Sequence, residues 1–201
     1  MTNHQVIIVG GGAAGIATAS SLRKRDNSLD IAIIEPADEH FYQPGWTMVG
    51  AGVFDKNQTV RTMDAVWPQG IKRIKGAVKS FEPDSQTVTL EDGSAIGYDF
   101  LVVAAGLKLD WDAVEGLNEA LGKNGVTSNY RFDLAPYTHN LVENMKGKTA
   151  IFTQPPMPIK CAGAPQKAMY LSCDIWSKAG KLKDLEVSFC NAGPVLFGCA
   201  P

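Results

Sequence analysis

The run Gln5-Val-Ile-Ile-Val-Gly10-Gly-Gly-Ala-Ala-Gly15 constrains this chain more than any other stretch, because an apolar strand leads straight into Gly10-x-Gly12-x-x-Gly15 and then into small residues that suit a helix. Gly10 permits the tight turn, Gly12 lets the backbone approach a phosphate, and Gly15 allows the helix to lie close to the strand. The helix expected from Ala13 to Arg23 turns its N-terminus, with free N–H groups, toward a pyrophosphate. A second strand, Ile31 to Glu35, ends in a carboxylate about 20 residues further on, where it can accept both hydroxyls of an adenosine ribose and repel a 2′-phosphate. Strand, turn, helix, strand and acid together specify a dinucleotide-binding βαβ unit. The fingerprint alone does not separate FAD from NAD.

At 201 residues and 45% hydrophobic content the chain can bury one sizeable core and begin a second. A net charge of −2 with dispersed Lys and Arg gives no basic field for nucleic acid, which is therefore not an expected partner. The best apolar run, Phe100 to Ala105, is interrupted by Asp99, Lys108 and Asp110, well short of the ~18 residues that span a bilayer. With the first strand starting near residue 5, a signal or transit peptide is not expected and the chain reads as cytoplasmic. Cys161, Cys173, Cys190 and Cys199 form no CxxC, and His4, His40 and His139 are scattered, so no metal site is expected.

After Glu35 comes a loop dense in aromatic residues, Pro and Gly, Pro36 to Trp46, long enough to touch a ligand. Ile71 to Phe81 and Thr87 to Leu90 read as short β segments, with Glu91 to Ser94 as a turn after them, suggesting a small antiparallel meander that leaves the parallel sheet unbroken. Tyr98 to Leu107 reads as a buried parallel strand ending in small residues. A helix is expected from Asp133 to Met145, capped by Asp133, with Pro136 in its first turn and Tyr137, Leu141 and Met145 as a core stripe. Lys148 to Thr153, a helix from about Pro165 to Lys178, and Leu185 to Asn191 make a second strand-turn-helix-strand unit whose turn lacks a glycine fingerprint and carries Cys161 instead.

The fold class that follows is α/β: a Rossmann-like dinucleotide-binding domain over residues 1–110 with the meander inserted, a connecting segment and helix over 111–147, and the start of a second dinucleotide-binding-like domain over 148–201. Cys161 follows Lys160 and precedes the second helix, so a cation and a helix N-terminus could both stabilise its thiolate; a buried turn cysteine is the alternative. Cys173 and Cys190 read as packing residues, and Cys199 carries no reading.

Gly10 to Gly15, Glu35, the loop Phe41-Tyr-Gln-Pro-Gly-Trp46, Ser128-Asn-Tyr130 and above all Lys160-Cys-Ala-Gly-Ala-Pro-Gln-Lys-Ala-Met-Tyr-Leu-Ser172 resemble the sulfide:quinone oxidoreductases, flavoproteins of the disulfide-reductase-like superfamily. The resemblance runs the length of the chain and implies FAD, with its pyrophosphate at Gly10, Gly12 and the backbone of Ala13 and Ala14, and Glu35 on the ribose. It also implies that Gln43 lies along the FAD, that the Val78 backbone meets the adenine and that Ala105 and Gly106 line the cofactor. Cys161 matches the redox cysteine that faces the flavin and carries sulfur as a persulfide, with sulfide and a quinone as reactants. A second cysteine, the final strand of the FAD domain and the membrane-docking helices lie further along in that family, so the chain matches its N-terminal half; the full-length protein is expected to sit peripherally on the inner membrane. Ala104-Ala105-Gly106 departs from the pattern, since many relatives have Thr before the Gly. Other readings are a type II NADH:quinone oxidoreductase, which needs the second glycine fingerprint, a flavocytochrome sulfide dehydrogenase subunit, and a non-catalytic FAD-binding fragment.

Overall fold

The computed structural model describes residues 2–196. In chain order its elements are β1 Thr2–Val9, α1 Ala13–Arg25, β2 Ile31–Ile34, β3 Glu39–Phe41, α2 Trp46–Gly50, β4 Val60–Thr62, α3 Met63–Val66, β5 Lys72–Ile74, β6 Val78–Glu82, β7 Thr87–Leu90, β8 Ala95–Val103, α4 Leu117–Ala120, α5 Ala135–Glu143, β9 Thr149–Gln154, α6 Gly163–Lys178 and β10 Glu186–Asn191. The described residues form two compact units, one of residues 2–41 and 60–108 and the other of 42–59 and 109–196.

The first unit is an α/β sheet in the order β5-β2-β1-β8-β7-β6. β5, β2, β1 and β8 run parallel and in level register: Val9 pairs with Ile34 on one side and Val103 on the other, and Ile34 pairs with Ile74. The next residue on each of the three central strands, Gly10, Glu35 and Ala104, therefore emerges at the same carboxyl edge, where ligands bind in sheets of this kind. Register is held by burial. Ile7, Ile8 and Ile33 are fully enclosed, each worth about 1.5–3 kcal/mol against exposure, and a one-residue slip would exchange the faces they occupy. Ile8, Ile31, Ile33 and Ala19 of α1 fill one side of the sheet; Ile7, Ile34, Val88, Leu90, Ile96 and Tyr98 fill the other.

The meander is present, and its third strand is β8 itself, which pairs antiparallel with β7 at its start and parallel with β1 along its length. Of the β segments expected between Ile71 and Phe81, the first belongs to the parallel sheet as β5 and only the second, β6, to the meander. The expectation that the Tyr98 to Leu107 strand is buried fails: Phe100 and Val103 are 70% and 60% exposed, because β7 covers β8 only from Ala95 to Gly97. The loop after Glu35 holds a short strand, β3, paired antiparallel with β4; three residues, with no alternation of polarity, are too short a pattern to read.

In the second unit, α2, α5 and α6 pack together and β9 pairs parallel with β10. Trp46, Val49 and Ala135 form its small core, joined by Phe132. The Trp176 indole N–H donates to the Val142 carbonyl at 2.8 Å, tying α6 to the end of α5. α5 starts at Ala135 with Pro136 in its first turn, as expected, but Asp133 does not cap it; Asp133 is bound by Arg131, which holds its carboxyl below the usual carboxylate range. The buried face of α5 is Ala135, Thr138 and Val142, rather than Tyr137, Leu141 and Met145. The helical period was right and its phase was not.

Candidate functional site

The glycine turn shows three separate spatial demands. Gly10 has φ +103°, and a Cβ there would lie 2.4 Å from the Ala104 carbonyl oxygen. At Gly15 a Cβ would lie 1.9 Å from the Gly10 carbonyl oxygen, so α1 could not approach β1 with any larger residue. Gly12 differs: a Cβ there meets nothing within 4 Å, so the turn opens onto free space just ahead of α1. The first intrahelical bond runs from Ile16 N–H to the Gly12 carbonyl, at 3.0 Å, which leaves the N–H groups of Gly12, Ala13 and Ala14 ahead of the helical ladder. These three residues are exposed, and α1 has no acidic residue in its first turn to compete for its positive end.

Glu35 stands beside this turn. Its Oε2 accepts the Gly11 N–H at 2.6 Å and its Oε1 accepts the Ala37 N–H at 2.7 Å. Each oxygen keeps a further lone pair for a hydroxyl. A Cβ on Gly11 would come within 2.9 Å of the Glu35 Cγ, so the middle glycine is what admits the acid. The fingerprint leaves that position free, and only the uninterrupted triple glycine marks it in the sequence. The segment after Glu35 is pinned by Arg73, which donates to the Ala37 carbonyl at 2.7 Å and to Asp38 and Asp64 at 3.0 and 2.9 Å. Lys75, with Arg73, holds the Asp38 carboxyl below its usual range.

Ala105 and Gly106 follow β8 and are exposed, Gly106 with a left-handed φ of +77°. Val78, in β6, packs against the cluster that contains Val9 and Ile34, the residues just before Gly10 and Glu35. The arrangement fits a dinucleotide: N–H donors at a helix terminus, room at Gly12 and a carboxylate acceptor from the neighbouring strand.

Gln43 and Cys161 belong to the second unit. Gln43 opens a 3-10 turn and is half-buried. Cys161 is exposed and has a left-handed φ of +62°. α6 begins at Gly163 with Ala162 as its N-cap, so the thiol-bearing residue immediately precedes the cap. The Ala164 N–H donates to the Cys161 carbonyl at 2.9 Å. From 30 residues upstream, the Tyr130 hydroxyl donates to the carbonyls of Lys160 and Cys161, at 2.5 and 3.2 Å; no local pattern announces this contact. Burial, and then the charge of Cys161, push the Tyr130 phenol up to about 12.

Cys173 is partly buried in α6, and burial raises its pKa. Cys190 is exposed, contrary to the packing role expected of it: it pairs with Thr153 on the face opposite Phe152, the residue that meets Trp176. Cys199 lies outside the described residues. Among the described residues no three His, Cys, Asp or Glu side chains gather as a metal site, and no helix is long and apolar enough to cross a membrane.

The profile of the pyridine nucleotide-disulphide oxidoreductase family matches residues 4–152. The mitochondrial sulfide:quinone oxidoreductase of Dictyostelium discoideum is 44% identical over 195 residues, and that of Mus musculus 37% over 196. These alignments take in 96% and 98% of this chain but 43% and 44% of the relatives, so the chain spans less than half the length of the curated proteins it matches. The crystal structure of the sulfide:quinone oxidoreductase from Aquifex aeolicus superposes with a TM-score of 0.75 at 27% identity, over 98% of this chain and 44% of that one.

Proposed function

The chain belongs to the pyridine nucleotide-disulphide oxidoreductase family, and from that premise we propose that it is the N-terminal part of an FAD-dependent sulfide:quinone oxidoreductase in which Cys161 carries sulfur. The observation that carries this reading is the exposed Cys161 at the head of α6, where a second dinucleotide-binding unit would need glycines. A nicotinamide cofactor finds no such fingerprint in that turn, which disfavours the NADH:quinone alternative. In this reading residues 1–110 are the FAD domain, 111–147 a connector and 148–201 the start of the second domain.

Gly10, Gly12 and the N–H groups of Ala13 and Ala14 hold the FAD pyrophosphate, and Gly15 keeps α1 close behind it. Glu35 accepts the ribose hydroxyls, the Val78 backbone meets the adenine, and Gln43, Ala105 and Gly106 line the rest. FAD, when bound, supplies a two-electron acceptor. Cys161 supplies the sulfur chemistry. Hydrosulfide attacks the Cys161 sulfur of a disulfide made with a cysteine of the longer protein; that S–S bond breaks, a persulfide forms on Cys161, and the partner leaves as a thiolate. An acceptor thiolate then takes the outer sulfur and leaves Cys161 as a thiolate. Re-forming the disulfide from the two thiolates releases two electrons, which with two protons convert quinone to quinol. Peripheral contact with the inner membrane, made by the region beyond this chain, gives access to a bilayer-dissolved quinone.

The test is anaerobic titration of the full-length protein, followed by its flavin absorbance. Sulfide bleaches the wild type, NADH does not, and Cys161→Ser abolishes the sulfide response with FAD still bound. Bleaching by NADH alone, or wild-type sulfide bleaching in Cys161→Ser, overturns the proposal.

A further inference from the structure

We propose that Tyr130 is a positioning residue for Cys161, its hydroxyl gripping both peptide groups that flank the Cys161 Cα. The Lys160 carbonyl belongs to the peptide before that Cα and the Cys161 carbonyl to the peptide after it, and the one hydroxyl donates to both. Fixing the two peptide planes fixes φ and ψ between them, the torsions that aim the Cβ–Sγ bond.

Something must hold this residue. A left-handed conformation costs a side chain with a Cβ about 1–2 kcal/mol, and Cys lacks the side-chain carbonyl with which Asn or Asp offsets that cost. The Ala164 N–H secures only the peptide on the helix side. Tyr130 secures the other peptide, and it is itself anchored, because its N–H donates to the Ser128 hydroxyl at 3.1 Å. Ser128 and Tyr130 thus act as one device, the serine setting the tyrosine and the tyrosine setting the cysteine. The phenol is also suited to the conditions that thiol chemistry favours. Tyrosine ordinarily ionises at 10.0 and would then lose its donor; here burial keeps it protonated up to about 12. In sign, the contribution of the protonated phenol to stability is complete below pH 10.0 and lost as pH rises through about 12.

The inference rests on the reading of Cys161 as the sulfur carrier, and its test separates the two. In full-length protein, Tyr130→Phe keeps the ring and removes the hydroxyl. Expected are a kcat for sulfide-dependent quinone reduction about tenfold lower, as befits the loss of the hydrogen bond that the phenol shares between the two carbonyls, with the quinone KM, FAD content and, in the reduced protein, iodoacetamide labelling of Cys161 within twofold of wild type. 4-Aminophenylalanine at position 130 restores an N–H donor and returns most of the rate. Wild-type kcat in Tyr130→Phe, alongside an inactive Cys161→Ser, overturns this inference and leaves the functional reading intact; an active Cys161→Ser overturns that reading first. Loss of turnover with a parallel loss of FAD or of thermal stability also overturns it, since the tyrosine would then support only the fold.

Discussion

Two glycines three residues apart along one fingerprint, Gly12 and Gly15, should respond to the same methyl group in opposite ways. Gly12 has φ −72° and ψ −172°, an extended conformation open to any residue, and a Cβ there meets nothing within 4 Å. Gly12→Ala therefore strains nothing in the folded apo-protein and removes conformational freedom from the unfolded chain, a gain of about 0.4–1 kcal/mol. At Gly15 the added Cβ would stand 1.9 Å from the Gly10 carbonyl oxygen, a backbone atom that cannot rotate aside. Overpacking costs about 1–3 kcal/mol, and backbone against backbone places this case at the upper end; better helix propensity returns up to about 1 kcal/mol, leaving a net loss near 2 kcal/mol.

Thermal unfolding of the flavin-stripped protein reads both, at about 2–4 °C per kcal/mol for chains of 150–250 residues and less for longer ones. Gly12→Ala should melt at or slightly above the wild type, and Gly15→Ala below it. Fluorescence titration with FAD should then reverse the impression given by stability: the stable Gly12→Ala protein should bind at least about tenfold more weakly, because its methyl group occupies the space proposed for the pyrophosphate. Wild-type FAD affinity in Gly12→Ala would refute the assignment of that open space to a phosphate. A Gly12→Ala apo-protein less stable than Gly15→Ala would refute the packing argument itself.

Glu35→Ala should weaken FAD binding by at least about tenfold by calorimetry, since it removes the proposed ribose acceptor and leaves the Gly11 N–H without its carboxylate; Glu35→Gln, which keeps one acceptor oxygen, should fall between. Timed iodoacetamide labelling of the reduced protein with peptide mapping should modify Cys161 and Cys190 before Cys173, which is less exposed and whose thiol burial pushes up. Raising the pH above the ordinary thiol range should narrow the gap, and a Cys173 that labels first at neutral pH would contradict its placement in α6.

What could be read from the sequence was whatever depends on near neighbours. The βαβ unit, the roles of Gly10 and Gly15 and the position of Glu35 at a strand end all follow from residues whose spacing is set by one strand and one helix, and each has its partner where the spacing put it. The second strand-turn-helix-strand was legible for the same reason. Helix phase on α5 was not, because Tyr137 and Leu141 are as apolar as Ala135 and Val142, and only the surface each face meets decides between them.

Gly11 and Tyr130 show where local reading ends. Gly11 matters through Glu35, 24 residues away, and Tyr130 through Lys160 and Cys161, 30 and 31 residues away; both are contacts to backbone, which leave no trace in side-chain patterning. A carbonyl offers the same acceptor whatever residue bears it, so its partner is chosen by the path of the chain. The elements that build the cradle are thus written locally, whereas the groups that fix the acid and the thiol within their turns are supplied by tertiary structure. Substitutions at such positions should alter the precision of the chemistry more than the fold, which is why Tyr130→Phe is measured by kcat and Gly15→Ala by melting.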